Sequence, residues 1–485
     1  MGTDVVQRGA GRLARGMRPA WPAVSSRSQL GAHGRQQSRN GTLSPGSGRL
    51  FAMTLPGSPH VAYHDGELFL EGCALADLAR RFGTPLYAYS RAAMLDALAG
   101  YQRALVGRDH LICYAMKANS SLAVLQTFAL AGCGFDIVSG GELARVLAVG
   151  VPASKIVFSG VGKTRAEMRQ ALKAGVMCFN VESEAEIEVL SQMAVEAGTT
   201  ANVSLRVNPD VDAGTHPYIS TGLKGNKFGI AHERAVACYE RAAALPGLKV
   251  VGIDFHIGSQ IEDSGPYLDA LDRMLELVDA IEARGIAIRH LDLGGGLGIT
   301  YGDETPPSPE ALVKSLLARI DARGHGHRKV MFEPGRSLVG NAGVLVSEVL
   351  YLKPGSEPEG DPEGAGKNFC IVDAAMNDLM RPALYQAWMN IAVCHLRSEP
   401  PVLFDVVGPV CESGDWLGRA RPLAVHAGDF VAVLSAGAYG MSMASNYNSR
   451  GRAAEVMVSG EQAWLIRDRE QPGELFRGEH LLPAT

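Results

Sequence analysis

Residues 111–150 read LICYAMKANSSLAVLQTFALAGCGFDIVSGGELARVLAVG, and this stretch contains the pattern that decides the fold. Two short apolar runs, at residues 112–116 and 135–138, are each followed by a longer segment with helical periodicity. Alternation of apolar strands with helices is typical of a parallel sheet. The stretch therefore predicts two successive β–α units.

The same alternation continues along the chain to residue 332. Candidate strands lie at residues 112–116, 135–138, 156–158, 178–181, 203–207, 250–255, 288–293 and 330–332. Ser139 and Glu142 have the spacing of a helix capping box directly after the second of these strands. Ser183 and Glu186 have the same spacing after the fourth. Eight strand–helix units predict an α/β fold of the TIM type, a (β/α)8 barrel.

Beyond about residue 344 the helical rhythm gives way to short β-like runs. These runs lie at residues 369–372, 402–407, 430–434 and 453–458. We therefore predict a barrel domain at residues 86–341. A second, β-rich domain is expected at residues 342–485, completed by the N-terminal segment 53–85. Residues 354–367, PGSEPEGDPEGAGK, are rich in Gly, Pro and acidic residues and predict an exposed loop.

The first 52 residues differ in composition from the rest. They are rich in Arg, Gly and Ser, and Asp4 is their one acidic residue, which predicts a disordered leader. Such a leader is also typical of an organelle transit peptide. Because Met53 begins a normal-looking domain, we favour a start at that residue and expect a cytoplasmic protein, with an organelle as the alternative.

Charge, hydropathy and cysteine spacing exclude several classes of function. The formal net charge is −5, so the uniformly basic surface of a nucleic-acid-binding protein is not expected. No run approaches the roughly 20 apolar residues that a membrane span requires. The eight cysteines contain no Cys-x-x-Cys pair, which argues against a zinc site or a disulfide framework. A small-molecule substrate is the remaining expectation.

Polar residues follow the predicted strands, at the end of a barrel where active sites lie. Lys117 follows the first strand, and a partly desolvated amine there suits Schiff-base chemistry. The alternative is a surface lysine that reaches past the rim. The second strand ends at Asp136, and residues 256–260 (HIGSQ) follow the sixth. His256 can be a core histidine or a flat ring that packs on a cofactor.

The last two strands end in residues suited to an anion. Gly294, Gly295 and Gly296 follow the seventh strand, where barrels commonly bind phosphate, although most Gly-rich turns are merely tight turns. Residues 333–336 (EPGR) follow the eighth. Arg336 can complete an anion site and Glu333 can pair with a protonated ring nitrogen, or the two can form a local salt bridge.

A lysine for an imine, glycines for a phosphate and a glutamate for a pyridinium are the groups needed to hold pyridoxal phosphate. This set requires neither a metal ion nor a nicotinamide cofactor. The motifs that carry these residues, YAMKAN from residue 114, HIGSQ, GGGLG from residue 294 and EPGR, resemble those of the fold-type III pyridoxal-phosphate enzymes. These alanine-racemase-like barrels include diaminopimelate, ornithine and arginine decarboxylases.

Four more motifs are similar to those of diaminopimelate decarboxylases in particular. They are NPDVDAGTHPYISTGLKGNKFG from residue 208, MNDLMRPALY from residue 376, GPVCESGD from residue 408 and GAYG from residue 437. The resemblance spans roughly residues 55–480. It implies decarboxylation of meso-2,6-diaminopimelate to L-lysine, the last step of lysine biosynthesis. It also implies a homodimer in which the CESGD segment reaches the neighbouring subunit's site.

The resemblance implies a role for each matching residue. The cofactor site would consist of Lys117, Asp136, His256, Ser259, Gly294, Gly295, Gly296, Glu333, Pro334, Gly335, Arg336 and Tyr439. The substrate site would consist of Arg336, Arg381, Tyr385, Glu412 and Tyr439. The catalytic residues would be Lys117, His256, Glu333 and Cys411, of which Cys411 would return a proton to the carbanion. Without the resemblance, Cys411 would be interpreted as an inert buried thiol.

Three alternatives remain open from the sequence. A related enzyme could decarboxylate carboxynorspermidine, ornithine or arginine, although Arg381 and Glu412 argue against the last two. A racemase is disfavoured because Glu333 stands where that family uses an arginine. A cofactor carrier without catalysis is disfavoured because Lys117 and Cys411 are both present.

Overall fold

The structure is a computed structural model that describes residues 55, 57, 60–212, 226–355 and 366–483. The predicted leader at residues 1–52 lies outside the described residues. So does most of the predicted loop at residues 354–367, and so does the middle of the motif that begins at residue 208.

Eight parallel strands form a closed barrel, as predicted. They are His110–Ala115, Gly134–Ile137, Ile156–Phe158, Cys178–Val181, Ala201–Asn208, Leu248–Asp254, His290–Asp292 and Lys329–Phe332. Each strand pairs with the next, and the eighth pairs with the first through Val330 and His110, which closes the ring. A short strand, Ile230–Ala231, extends the edge of the fifth. Closure brings the carboxyl ends of all eight strands to one mouth.

Helices surround the barrel. Those of eight or more residues are Arg91–Ala104, Leu122–Leu130, Gly140–Ala148, Arg165–Ala174, Glu184–Glu196, Ala235–Ala244, Gly265–Glu282 and Pro309–Ala322. The first precedes the first barrel strand, and the short helix Arg336–Val339 follows the eighth. In the described part of the chain, none of the helices is both long and apolar enough to span a bilayer.

The predicted helix starts are present. The hydroxyl oxygens of Ser139 and Ser183 accept hydrogen bonds from the backbone N–H three residues later, both at 3.2 Å. In a standard capping box the glutamate accepts from the N–H of the serine itself. Here each glutamate instead accepts from the residue before the serine, Glu142 from the N–H of Val138 and Glu186 from that of Glu182. These caps fix where each helix leaves its strand.

A second sheet forms the β-rich domain. Its hydrogen-bonded path runs through Trp416–Leu423, Val402–Val407, Phe369–Val372, Gly343–Lys353, Leu86–Ser90, Ala454–Ser459 and Gln462–Arg467. Phe430–Val433 joins Gly343–Lys353 to Ile391–Val393. A three-stranded sheet of Val61–His64, Glu67–Leu70 and Cys73–Ala74 leads into helix Leu75–Phe82. This domain also contains two short α-helices, Arg381–Tyr385 and Pro472–Leu475, and two 3-10 turns, Met441–Met443 and Tyr447–Ser449.

One strand differs from its predicted assignment. The sequence analysis placed residues 86–90 in the barrel domain, but Leu86–Ser90 lies inside the second sheet. It pairs antiparallel with the strand that begins at Gly343 and parallel with the strand that begins at Ala454. All five of its residues are buried because strands flank it on both sides. An apolar run followed by a helix looks like a barrel unit in sequence, and only the pairing reveals the difference.

Tyr89 in this strand provides a test of the second sheet. Its hydroxyl donates to the Glu455 carboxylate at 2.7 Å, and both residues are buried. We expect Tyr89→Phe to lower the free energy of unfolding by about 1–3 kcal/mol, because a buried carboxylate loses a donor. Thermal unfolding followed by circular dichroism measures the change. Tyr63→Phe is the control, since its hydroxyl donates to the half-buried, uncharged carbonyl of Val393. Equal shifts for the two variants would contradict the expectation.

Candidate active site

Lys117 stands at the barrel mouth on a single 3-10 turn, Met116–Ala118, directly after the first strand. Its Nζ donates to Asp136 Oδ2 at 2.5 Å. The lysine side chain is 39% exposed whereas that of Asp136 is fully buried, so the amine faces the mouth and its partner lies beneath it. Burial lowers the pKa of Lys117, but the charges of Asp136 and Glu333 outweigh burial and raise this pKa overall.

Glu333 lies within a group of buried carboxyl groups. Its Oε1 accepts a hydrogen bond from Asn180 Nδ2 at 3.2 Å. Carboxylate oxygens of Asp254, Asp292 and Glu333 lie within 4.8 Å of one another. Burial and then the charge of Asp136 raise the pKa of Glu333 well above its ordinary value. Burial also raises the pKa of Asp292, to about 6. A cation beside Glu333 would relieve this excess of negative charge.

The ring of His256 is held neutral. Burial lowers its pKa well below the ordinary value, and the positive charges of Arg206 and Lys117 lower it further. Its Nδ1 accepts from the backbone N–H of Gly295 at 3.2 Å, which assigns the ring proton to Nε2. A neutral flat ring tied to the glycine loop is suited to packing on a planar cofactor.

The glycine loop after the seventh strand packs directly against other backbone. A Cβ atom at Gly295 would overlap the carbonyl oxygen of Glu333, and one at Gly296 would overlap that of Gly258. Gly296 also has a φ of +105°, a region that favours glycine. A backbone free of side chains can approach a phosphate closely. The loop is therefore compatible with the phosphate site that the sequence analysis predicted.

The eighth strand is joined to the first by backbone. The N–H of Ala115 donates to the carbonyl of Pro334 at 3.0 Å, and Gly335 packs on Ala115 and Ala118, where a side chain would be crowded. This contact sets the EPGR segment next to the turn that carries Lys117.

Two buried arginines stand close together at the mouth. Arg336 is 4% exposed and Arg381 is 6% exposed. Arg336 Nη2 donates to Ser259 Oγ at 2.9 Å, and the guanidinium lies 5.0 Å from the ring centroid of Tyr439. The Arg381 guanidinium lies 5.6 Å from the ring centroid of Tyr385. Among the described residues, no carboxylate forms an ion pair with either arginine, so the pair is suited to bind anions.

The second domain reaches this mouth through the GAYG segment. The backbone N–H of Tyr439 donates to the carbonyl of Ala118 at 2.8 Å, and Asn119 Nδ2 donates to the carbonyl of Gly437 at 3.1 Å. Tyr439 has a φ of +56°, an uncommon conformation for a tyrosine. The sheet domain thus fixes the backbone of Tyr439 against Ala118, the residue that follows Lys117.

Two predicted site residues are not brought to this mouth. Cys411 is exposed, and its backbone N–H donates to Asn448 Oδ1 at 2.8 Å. Throughout the described ranges, no hydrogen bond or ion pair joins Cys411 or Glu412 to Lys117 or to either site arginine. The CESGD segment is instead held by Asp415, which accepts from the backbone N–H groups of Met376 and Val410.

Sequence reasoning missed several residues of the site. Asn180 and Ser159 approach Glu333. Ser159 directly follows the third predicted strand and Asn180 is the last residue but one of the fourth, so the rule applied to the other strand ends could have found them. Arg206 lies in the fifth strand, and its positive charge lowers the pKa of His256. Tyr301 contacts both arginines, and nothing in its sequence context marked it.

Comparisons with known proteins agree with this geometry. The family described as "Pyridoxal-dependent decarboxylase, pyridoxal binding domain" matches residues 92–340. The diaminopimelate decarboxylase of Pseudomonas aeruginosa is 57% identical over 422 residues, covering 87% of this chain and 99% of that protein. The solved diaminopimelate decarboxylase of Helicobacter pylori, complexed with L-lysine, is 40% identical with a TM-score of 0.78, covering 83% and 98%. That of M. jannaschii, also with L-lysine, is 38% identical with a TM-score of 0.82, covering 88% and 99%.

The glycine cradle can be tested by binding of the expected cofactor. We expect Gly295→Ala to weaken pyridoxal phosphate binding about 10- to 100-fold, because the new Cβ must displace the backbone at Glu333. Titration of the apoprotein, followed by visible absorbance, measures the affinity. Gly162→Ala is the control, since a Cβ there meets no atom within 4 Å. Unchanged affinity in Gly295→Ala would exclude the loop as the phosphate site.

Proposed function

The chain belongs to the diaminopimelate decarboxylases of the pyridoxal-dependent decarboxylase family, and from that premise we propose that it converts meso-2,6-diaminopimelate to L-lysine and carbon dioxide. The observation that carries the proposal is the pair of buried arginines beside Lys117. A substrate with a second carboxylate supplies the negative charge that Arg336 and Arg381 lack within the described chain. The reaction is a step of lysine biosynthesis.

The residues present fit pyridoxal phosphate. Lys117 supplies an amine at the mouth, Arg336 supplies donors for a phosphate, the glycine loop adds no side chain that would block one, and Glu333 supplies a carboxylate for a ring nitrogen. When bound, this cofactor supplies an electron sink for the pair of electrons that the departing carboxyl group leaves behind. Asp136 Oδ1 is buried and has no hydrogen-bond partner in the described part of the chain, so it can accept a hydrogen bond from a bound ligand.

Each protein group then has a defined task. Glu333 would hold a proton at the ring nitrogen, because its buried, negatively charged surroundings favour a cationic neighbour. His256, whose lowered pKa keeps it neutral, would contribute a flat ring without adding charge. Arg381 holds the distal carboxylate of the substrate, and Tyr385 packs against that arginine. Holding the distal end fixes which carboxyl group can leave.

We propose further that two copies of the chain share each active site. Cys411 and Glu412 carry the proton-donor and substrate-amine roles implied by the resemblance. They lie on an exposed segment, and within the described residues no hydrogen bond or ion pair joins them to Lys117, Arg336 or Arg381 of their own chain. A second copy that places this segment over the mouth would complete the site. A shared site would explain why the Cys411 thiol is exposed on a segment that Asp415 holds through backbone hydrogen bonds.

A substrate panel tests the proposed function. Purified protein with pyridoxal phosphate is incubated with meso-diaminopimelate, ornithine, arginine or carboxynorspermidine, and lysine and carbon dioxide are measured. We expect turnover of meso-diaminopimelate, with Lys117→Ala inactive. Lys155→Ala, which removes a lysine bonded to the carbonyl of Gly132 away from the mouth, should be fully active. Arg381→Leu should lower kcat/KM about 100-fold or more, because the distal carboxylate of the bound substrate loses its charged partner. Turnover of another substrate instead would overturn the assignment.

Mixing of inactive variants tests the shared site. We expect Lys117→Ala and Cys411→Ala dimers, each impaired alone, to regain activity after subunit exchange. Random exchange gives half heterodimers, and one of their two sites has both wild-type residues, so activity approaches about a quarter of wild type. Specific activity is measured before and after exchange. No recovery, with exchange verified by mass, would mean that each chain completes its own site.

A further inference from the structure

Tyr301 lies between the two buried arginines of the mouth. Its hydroxyl oxygen accepts a hydrogen bond from Arg336 Nη1 at 2.6 Å. The Arg381 guanidinium lies over its ring, 5.3 Å from the centroid. Tyr301 itself is 4% exposed. One side chain therefore contacts both guanidinium groups, one through oxygen and the other through the ring face.

Two buried positive charges side by side repel each other, and the repulsion is strong where water is excluded. A carboxylate between them would cancel the repulsion but would also consume the charge that an anionic ligand needs. A phenol stabilises both cations without neutralising either, since its oxygen accepts a hydrogen bond and its ring face attracts a cation. Arg381 Nε in fact remains without a hydrogen-bond partner among the described residues.

The position of Tyr301 is itself fixed. The Glu304 carboxylate accepts hydrogen bonds from the backbone N–H groups of Tyr301 at 2.8 Å and of Gly302 at 2.7 Å. Thr300 Oγ1 donates to the carbonyl of Glu304 at 2.8 Å and closes the same turn. On its far side Arg336 is tied to Ser259. The arginine pair is thus braced by a turn that lies beyond the glycine loop.

We propose that Tyr301 is a positioning residue that sets the spacing of Arg336 and Arg381 and so makes the site selective for ligands with a distal carboxylate. The inference rests on the proposed function, because it assigns Arg381 to that carboxylate. It deepens that function by assigning selectivity to a residue that carries no charge.

Two ligands isolate the effect. L-lysine and 1,5-diaminopentane differ by a single carboxylate, the one expected at the arginine pair. Each is titrated into the holoenzyme, and binding is followed by the visible absorbance of the bound cofactor. The ratio of the two affinities measures recognition of the carboxylate. A change that weakens binding of both ligands equally leaves this ratio unchanged.

We expect Tyr301→Phe to lower the preference for L-lysine over 1,5-diaminopentane about tenfold, because Arg336 loses a charge-assisted hydrogen bond while the ring under Arg381 remains. Affinity for 1,5-diaminopentane stays unchanged. In steady state with meso-diaminopimelate, KM rises more than kcat falls. Tyr239→Phe, which removes a buried hydroxyl bonded to the carbonyl of Gly252, is the control and leaves the ratio unchanged.

Glu304→Ala is a second variant, which keeps the phenol but loosens its turn, and it decides the question if Tyr301→Phe does not yield holoenzyme. We expect a smaller loss of the same ratio. A ratio unchanged in the variants obtained, or an equal loss of affinity for both ligands, overturns the inference and leaves the proposed function intact. A wild-type holoenzyme with no preference for L-lysine would overturn the proposed function, and the role of Tyr301 with it.

Discussion

The active site depends on one constraint, the closure of the barrel by its last strand against its first. The pairing of Lys329–Phe332 with His110–Ala115, extended by the backbone bond from Ala115 to Pro334, joins segments more than two hundred residues apart in sequence. Without it, Lys117 and Glu333 would not share a mouth. Because these hydrogen bonds join backbone groups, barrel closure does not depend on which side chains stand at the strand ends. Those side chains can therefore be used for binding and catalysis.

The buried charges at the mouth lower the stability of the protein when no ligand is bound. Buried carboxyl groups cluster around Glu333, and the guanidinium groups of Arg336 and Arg381 lie together at the mouth, each set poorly compensated within the described chain. Burial of like charges is costly, so the arrangement is understandable only if ligands of opposite charge complete it. Pyridoxal phosphate combines an anionic end with a cationic ring, and it fits this separation of charge.

The sequence predicted the barrel well because strand and helix periodicities alternate without interruption. It predicted the residues at the strand ends for the same reason, since parallel strands bring their carboxyl ends together. It assigned Leu86–Ser90 to the barrel domain because a buried central strand has the same composition in either sheet. Asn180 was accessible to the strand-end rule, whereas Tyr301 was not, because its role comes from where the loop after the seventh strand folds back. The assignments of Cys411 and Glu412 rest on resemblance alone.

The central place of Leu86–Ser90 in the second sheet has a consequence for synthesis of the chain. This strand leaves the ribosome early, yet its two neighbours begin at Gly343 and Ala454, so both of its edges stay open while the whole barrel is made. An apolar strand with open edges is a site for mispairing with other chains. Nascent chains are therefore most exposed to mispairing before Gly343–Lys353 is made, and one edge stays open until Ala454–Ser459 follows. A truncation at the carboxyl terminus that removed Ala454–Ser459 would leave that edge open permanently.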